Sequence, residues 1–211
     1  MTSKRHPIHL GTAGLCLLLA SANAVATMQQ RESNLVDLVG KSELILRATV
    51  KHVTDGIDAR GLPYTEVTLH VAEAIRGEVG IEYTFRQFGL LKPRSMGNGL
   101  VNLMVTPAGW TTYAQGEEAI LFLNRHAKFT GLQTTVGLAH GKFKISGAGA
   151  SNDTNNSGLF AHVKVDPNLL AGSDQRMMSA KNGVVDTKAF VSLVRKAVKG
   201  RWIEQGSMSS E

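Results

Sequence analysis

Tyr64–Gly89, YTEVTLHVAEAIRGEVGIEYTFRQFG, decides the fold. Val67, Leu69 and Val71 alternate with Thr68 and His70, and Ile81, Tyr83 and Phe85 alternate with Glu82, Thr84 and Arg86. A period of two in β-branched and aromatic residues marks half-buried strands. Between them, Arg76-Gly77-Glu78-Val79-Gly80 supplies a turn whose glycines accept positive φ. Such a hairpin is marginal alone in water, so neighbouring strands must complete a sheet.

Upstream, Glu43–Val53 reads as a first strand, with Leu44, Leu46, Ala48 and Val50 on one face and Glu43, Arg47, Thr49 and Lys51 on the other. Downstream, Glu117-Glu118 leads into Ala119–Leu123, a continuous apolar run of the kind buried on both faces. Leu132–Val136 and Gly141–Ile145 predict a second hairpin, with Phe143 and Ile145 inward and Lys142 and Lys144 outward. Leu159–Val165 reads as a late strand stopped by Asp166-Pro167. Ser33 or Asn34 can cap a short helix over Leu35–Val39 ended by Gly40. Asp186 or Thr187 can cap a last helix over Lys188–Lys199, its apolar face formed by Phe190, Val191, Val194 and Val198 and its end marked by Gly200. The 22 glycines and 6% aromatic content suit a turn-rich β protein. Together these features predict a mainly β fold: a small antiparallel OB-like barrel of five to six strands, with a short N-terminal and a C-terminal helix.

Three stretches resemble netrin-like domains: ELILRATV at 43–50, YTEVTLHVAEAIRG at 64–77 with its Arg-Gly turn, and GEEAILFL at 116–123. The run TGLQTTVGLAHGKF at 130–143 is similar to uncharacterised exported bacterial proteins with the same barrel. The best-known netrin-like proteins are the tissue inhibitors of metalloproteinases, so the resemblance implies an OB barrel and, by analogy, protease inhibition. Those inhibitors chelate the protease zinc through an N-terminal cysteine clamped by disulfides. Here the only cysteine is Cys16, inside a leader, so that chemistry has no counterpart in its known form.

The leader reads from its charge and length. Lys4 and Arg5 precede the apolar run Leu10–Ala20, and Ala24-Val25-Ala26 fits a signal-peptidase site, with Ala22-Asn23-Ala24 a second candidate. The run is short for a membrane span. Residues 1–26 are therefore expected to be a signal peptide, 27–203 a single domain and 204–211 a disordered tail, in a protein that is periplasmic or secreted. Retention of the run as an uncleaved anchor is the competing expectation. Without Lys4 and Arg5 the 23 basic residues fall to 21, against 17 acidic ones, a formal charge of +4. The positive charges are spread rather than clustered, which with export argues against nucleic-acid binding.

Motifs for chemistry fail on their spacing. A phosphate loop needs four residues between its glycines and Ser or Thr after the Lys; three stand between Gly137 and Gly141, and Phe143 follows Lys142. Asp153–Gly158 fits the first half of an EF-hand loop, but Lys164 stands where the bidentate Glu belongs. His52, His70, His126, His140 and His162 form no ligand spacing and read as surface residues. Glu117 and Glu118 are adjacent on an extended segment and so point to opposite sides. The reading assigns no catalytic residue, no metal and no cofactor.

Leu91–Gln115 is the longest irregular stretch, and loops of that length inside a compact domain usually carry function. Within it, Lys92, Arg94, Trp110 and Tyr113 are the candidate binding residues, because exposed aromatic and basic side chains supply most interface energy. The partner expected is a protein or an anionic envelope polymer, with no stable membrane insertion after leader removal. The alternative expectations are a protease-inhibitor-like protein or a metal-dependent hydrolase with a dispersed site.

Overall fold

A computed structural model describes residues 33–211. The leader, the cut after Ala26 and the Thr27 amine it would create lie outside the described residues. The fold is mainly β, a six-stranded antiparallel sheet with short helices. Its elements are α1 (Leu35–Lys41), β1 (Leu44–Ile57), β2 (Pro63–Arg76), β3 (Glu82–Phe88), β4 (Arg94–Ser95), β5 (Val101–Asn102), β6 (Glu118–Leu123), β7 (Lys142–Ser146), β8 (Gly149–Ser151), β9 (Val163–Val165), α2 (Gly172–Met178), α3 (Thr187–Lys199) and β10 (Met208–Ser210). The main sheet runs β3-β2-β1-β6-β7-β8; β4 pairs with β5, and β9 with β10.

The decisive hairpin forms in the expected phase, with Val67 opposite Phe85 and Leu69 opposite Tyr83. Ile81 departs from it: it precedes β3 and is exposed, because pairing begins only at Glu82. β6 behaves as its apolar run requires. Ala119, Leu121 and Leu123 enter one core with Leu46, Ala48, Val50, Val67, Leu69 and Phe85. Ile120 and Phe122 enter a second core, with Ile45, Phe143 and the apolar stripe of α3. Alternation along one strand thus makes β6 a partition between two apolar layers.

In the second core, Phe122, Phe143 and Phe190 form an aromatic triangle with centroids 4.7–6.3 Å apart. The α3 stripe includes Leu193 and Ala197 beside the expected Phe190, Val191 and Val194. The Asp186 side chain caps α3 by accepting from the Ala189 amide at 2.7 Å. Asn34 caps α1 by accepting from the Asp37 amide at 3.1 Å, and the helix continues through Gly40 to Lys41.

Three expectations about the chain path are corrected. Residues 132–136 do not pair with 141–145. Instead Thr135 bridges Leu123, the Gln133 amide donates to the Arg86 carbonyl at 2.7 Å, and a 3-10 turn, Leu138–His140, leads into β7. This strap links the far end of β6 to β3, while the ladders themselves leave β3 and β8 as the sheet's edges rather than closing a barrel. The late strand is only Val163–Val165, since 159–162 form turns. The tail at 204–211 is ordered: Met208–Ser210 pairs with β9 and the Met208 side chain is buried in the second core. Three residues are too few to show a period, so the ladder that holds them leaves no local signal.

Candidate functional site

The end of β1 and the turn into β2 organise the site. Asp58 Oδ1 accepts from the amides of Arg60 and Leu62, both at 2.9 Å, and its Oδ2 accepts from the Arg60 guanidinium at 2.9 and 3.0 Å. The Leu62 amide, and after it Arg60, hold the Asp58 carboxyl below the usual carboxylate range. Arg60 then reaches across to donate to the carbonyls of Phe129 (2.8 Å) and Thr130 (3.3 Å). Three residues before Asp58, Asp55 Oδ2 accepts from the Leu91 amide at 2.8 Å while its Oδ1 pairs with Arg94. One turn thus tethers two loops, 91–104 and 126–131.

The first of these is a β-ribbon. Arg94 pairs with Asn102 and Ser95 with Val101, and the turn between carries Gly97 and Gly99 at positive φ. Its base is pinned at Gly89, whose φ of +101° suits glycine. A Cβ there would lie 2.4 Å from the Thr106 nitrogen. That close approach lets Leu90 exchange backbone hydrogen bonds with Met104 and Thr106.

The ribbon exposes its apolar side chains. Leu100 is 64% exposed, Leu103 70%, Val101 54%, and Met96 and Met104 nearly half. Phe129, on the second tethered loop, is 92% exposed. Between Leu91 and Met104 the only charged residues are Lys92 and Arg94. Single exposed apolar residues are ordinary, whereas this many on one ribbon make it a candidate interaction site.

The four residues expected to bind part company here. Lys92 is exposed beside the ribbon. Arg94 is partly buried and spent on Asp55, so it builds the ribbon rather than offering a free charge. Trp110 is partly buried, edge-on to Phe88 with centroids 6.4 Å apart. Tyr113 is buried in the first core, edge-on to Phe85 at 5.6 Å, and its hydroxyl has no partner. Burial, with Glu117 and Asp153 nearby, pushes its phenol far above the usual range. Aromatic bulk drew Tyr113 into the core, so it is withdrawn as a binding residue. What the sequence reading missed are Met96, Leu100, Val101, Leu103, Met104 and Phe129. For Leu100, Val101, Leu103 and Met104 the signal was present as an apolar stretch, LVNLM, that follows a Gly-Asn-Gly turn without strand or helix period.

Beside Tyr113 lies a buried ion pair. Lys142, expected outward, is only 3% exposed because its strand register puts it opposite Leu121 on the side of the first core. Its ammonium donates to Glu117 Oε1 and to the Thr112 carbonyl, each at 2.5 Å, and stands 5.3 Å over the Tyr113 ring. Glu118 faces the other way and pairs with Arg47. The pair fastens the 112–117 segment to β7.

His140 is buried, against expectation, with Nδ1 3.0 Å from the Gly137 carbonyl. In the loop at 152–158 two asparagines are buried: Asn156 donates to the Ala150 and Gly183 carbonyls and Asn152 to that of His140. Asparagine side chains there stand in for a backbone ladder. Among the described residues, no group of three or more His, Cys, Asp or Glu is placed to hold a metal ion, and no helix is long and apolar enough to cross a membrane. No family model, curated protein or solved structure matches the chain.

Proposed function

We propose that this protein is an exported, non-enzymatic binding module of the cell envelope, and that its docking element is the ribbon at 91–104 with the Phe129 loop beside it. The observation that carries the reading is the exposed apolar surface of Leu100, Val101 and Leu103 on a ribbon with built-in tethers. Apolar side chains left in water cost solubility, and a rigid base spent on presenting them suits recognition. Export is supported by the basic, apolar and small-residue order of the leader. The netrin-like reading rests on the resemblance of residues 43–50, 64–77 and 116–123. It implies a scaffold for binding loops, which agrees with a docking role.

The test is binding of the purified protein to isolated envelope fractions. The paired substitution L100N/L103N should abolish sedimentation with the envelope while leaving the thermal unfolding midpoint unchanged, since both side chains are mostly in solvent. Equal binding by the variant would overturn the assignment of the ribbon.

A further inference from the structure

We infer that the ribbon docks on an anionic lipid surface, its tip entering the headgroup region without spanning the bilayer. The inference rests on the docking role proposed above and names its occupant.

Geometry comes first. Cross-strand partners share a face, so Val101 lies with Ser95 on one side of the ribbon. Leu100 is the next residue along, beside Met96, whose amide donates to the Leu100 carbonyl, and it points to the other side. Both Leu100 and Val101 are mostly exposed. A flat protein surface would cover one face of such a ribbon and leave the other wet. A bilayer interface surrounds a tip and accepts apolar side chains on every side. Phe129, almost wholly exposed on the loop held by the same turn, adds a second apolar point of entry.

Charge points the same way. Lys92 flanks the ribbon and Lys128 flanks Phe129, both exposed. The acids at this end, Asp55 and Asp58, are each neutralised by an arginine. The exposed apolar residues of the two loops are therefore accompanied by two exposed cations, Lys92 and Lys128, complementary to anionic headgroups. A second copy of the chain would bring the same cations face to face, and an anionic polysaccharide would leave the leucines in water.

The experiment attaches an environment-sensitive fluorophore to L103C in a C16S background, with A180C labelled as the control. Vesicles of phosphatidylcholine alone are compared with vesicles containing one quarter phosphatidylglycerol. The expected result is a blue shift at position 103 with the anionic vesicles only, none at position 180, and affinity about tenfold weaker on K92E or on raising salt to 0.5 M. Any effect of an uncleaved leader is shared by both labelled proteins and drops out of the comparison. No shift at 103, or an equal shift at 180, overturns the lipid assignment. Envelope binding that is lost in L100N/L103N, with no shift on any vesicle, would leave the docking ribbon standing and assign it to a protein instead.

Discussion

Replacing Lys142 by Met removes the cation from a pair that the fold has taken out of water. The two side chains are 4% and 8% exposed. The ammonium makes two contacts of 2.5 Å, one to Glu117 and one to the Thr112 carbonyl. With Met at 142, the Glu117 carboxylate stays buried, and the nearest remaining cation is Lys144, 3.8 Å away on a side chain that is mostly in solvent. Breaking one partner of a buried pair costs about 3–5 kcal/mol, because the survivor is left as an unsatisfied charge. Lys144 can swing in and recover part of that, which places K142M at the lower end, about 3 kcal/mol. Native stabilities are about 5–15 kcal/mol, so the variant folds but is visibly weakened. With a urea slope of about 1–3 kcal/mol/M, the midpoint should fall by about 1–3 M at unchanged slope. The double variant K142M/E117L puts apolar groups in both places and should return to within about 1 kcal/mol of the parent. A loss below about 1 kcal/mol in K142M would show that water reaches the pair, and a double variant weaker than K142M would show that the pair stabilises the fold in its own right. Either result refutes the reasoning.

Two further perturbations test the first core and the ribbon base. The Tyr113 hydroxyl is buried without a partner, so Y113F should leave stability unchanged or raise it by up to about 1 kcal/mol, read as a rise of a few degrees in the unfolding midpoint; a clear loss would mean the hydroxyl is hydrogen-bonded. Its folded phenol titrates above the unfolded one, so its contribution is fully present below the ordinary tyrosine range and is lost as pH rises beyond it. In an alkaline absorbance titration of the protein's three tyrosines, Tyr113 should ionise only as the chain unfolds, and full ionisation before unfolding would refute its burial. G89A should cost about 2 kcal/mol or more and release the ribbon, seen as faster amide exchange at Leu90 and Thr106, because the new Cβ meets backbone rather than a side chain that can move.

The legible parts of this fold were those written in local periods. β6 announced itself as five apolar residues in a row, α3 as a 3.6-residue stripe behind an aspartate cap, and β2 and β3 as alternation. What stayed hidden depends on register between distant segments. Lys142 alternates with Phe143 and so points away from it; that the other side is a second interior follows only from Leu121 lying opposite. Tyr113 fell among loop residues, and nothing nearby in sequence says that Phe85 awaits it 5.6 Å away. The site was half legible: the loop was singled out by its length and Lys92 by its charge, but rules that seek aromatics and arginines passed over leucines and a methionine pair. Leucine in a loop usually signals burial, and here the ribbon reaches beyond the core that would have buried it.

The α1 cap has a consequence for how this chain can be re-threaded. Asn34 Nδ2 donates to the Ala161 carbonyl and to Ser210 Oγ, both at 2.9 Å, so residues 34 and 210 are neighbours. A few glycines would suffice to join residue 211 to residue 33, and new ends could be opened in the ribbon turn between Asn98 and Gly99. Such a circular permutant keeps every strand of the main sheet intact while cutting the ribbon into two free arms. It would separate the scaffold from its tip while keeping every side chain of residues 33–211.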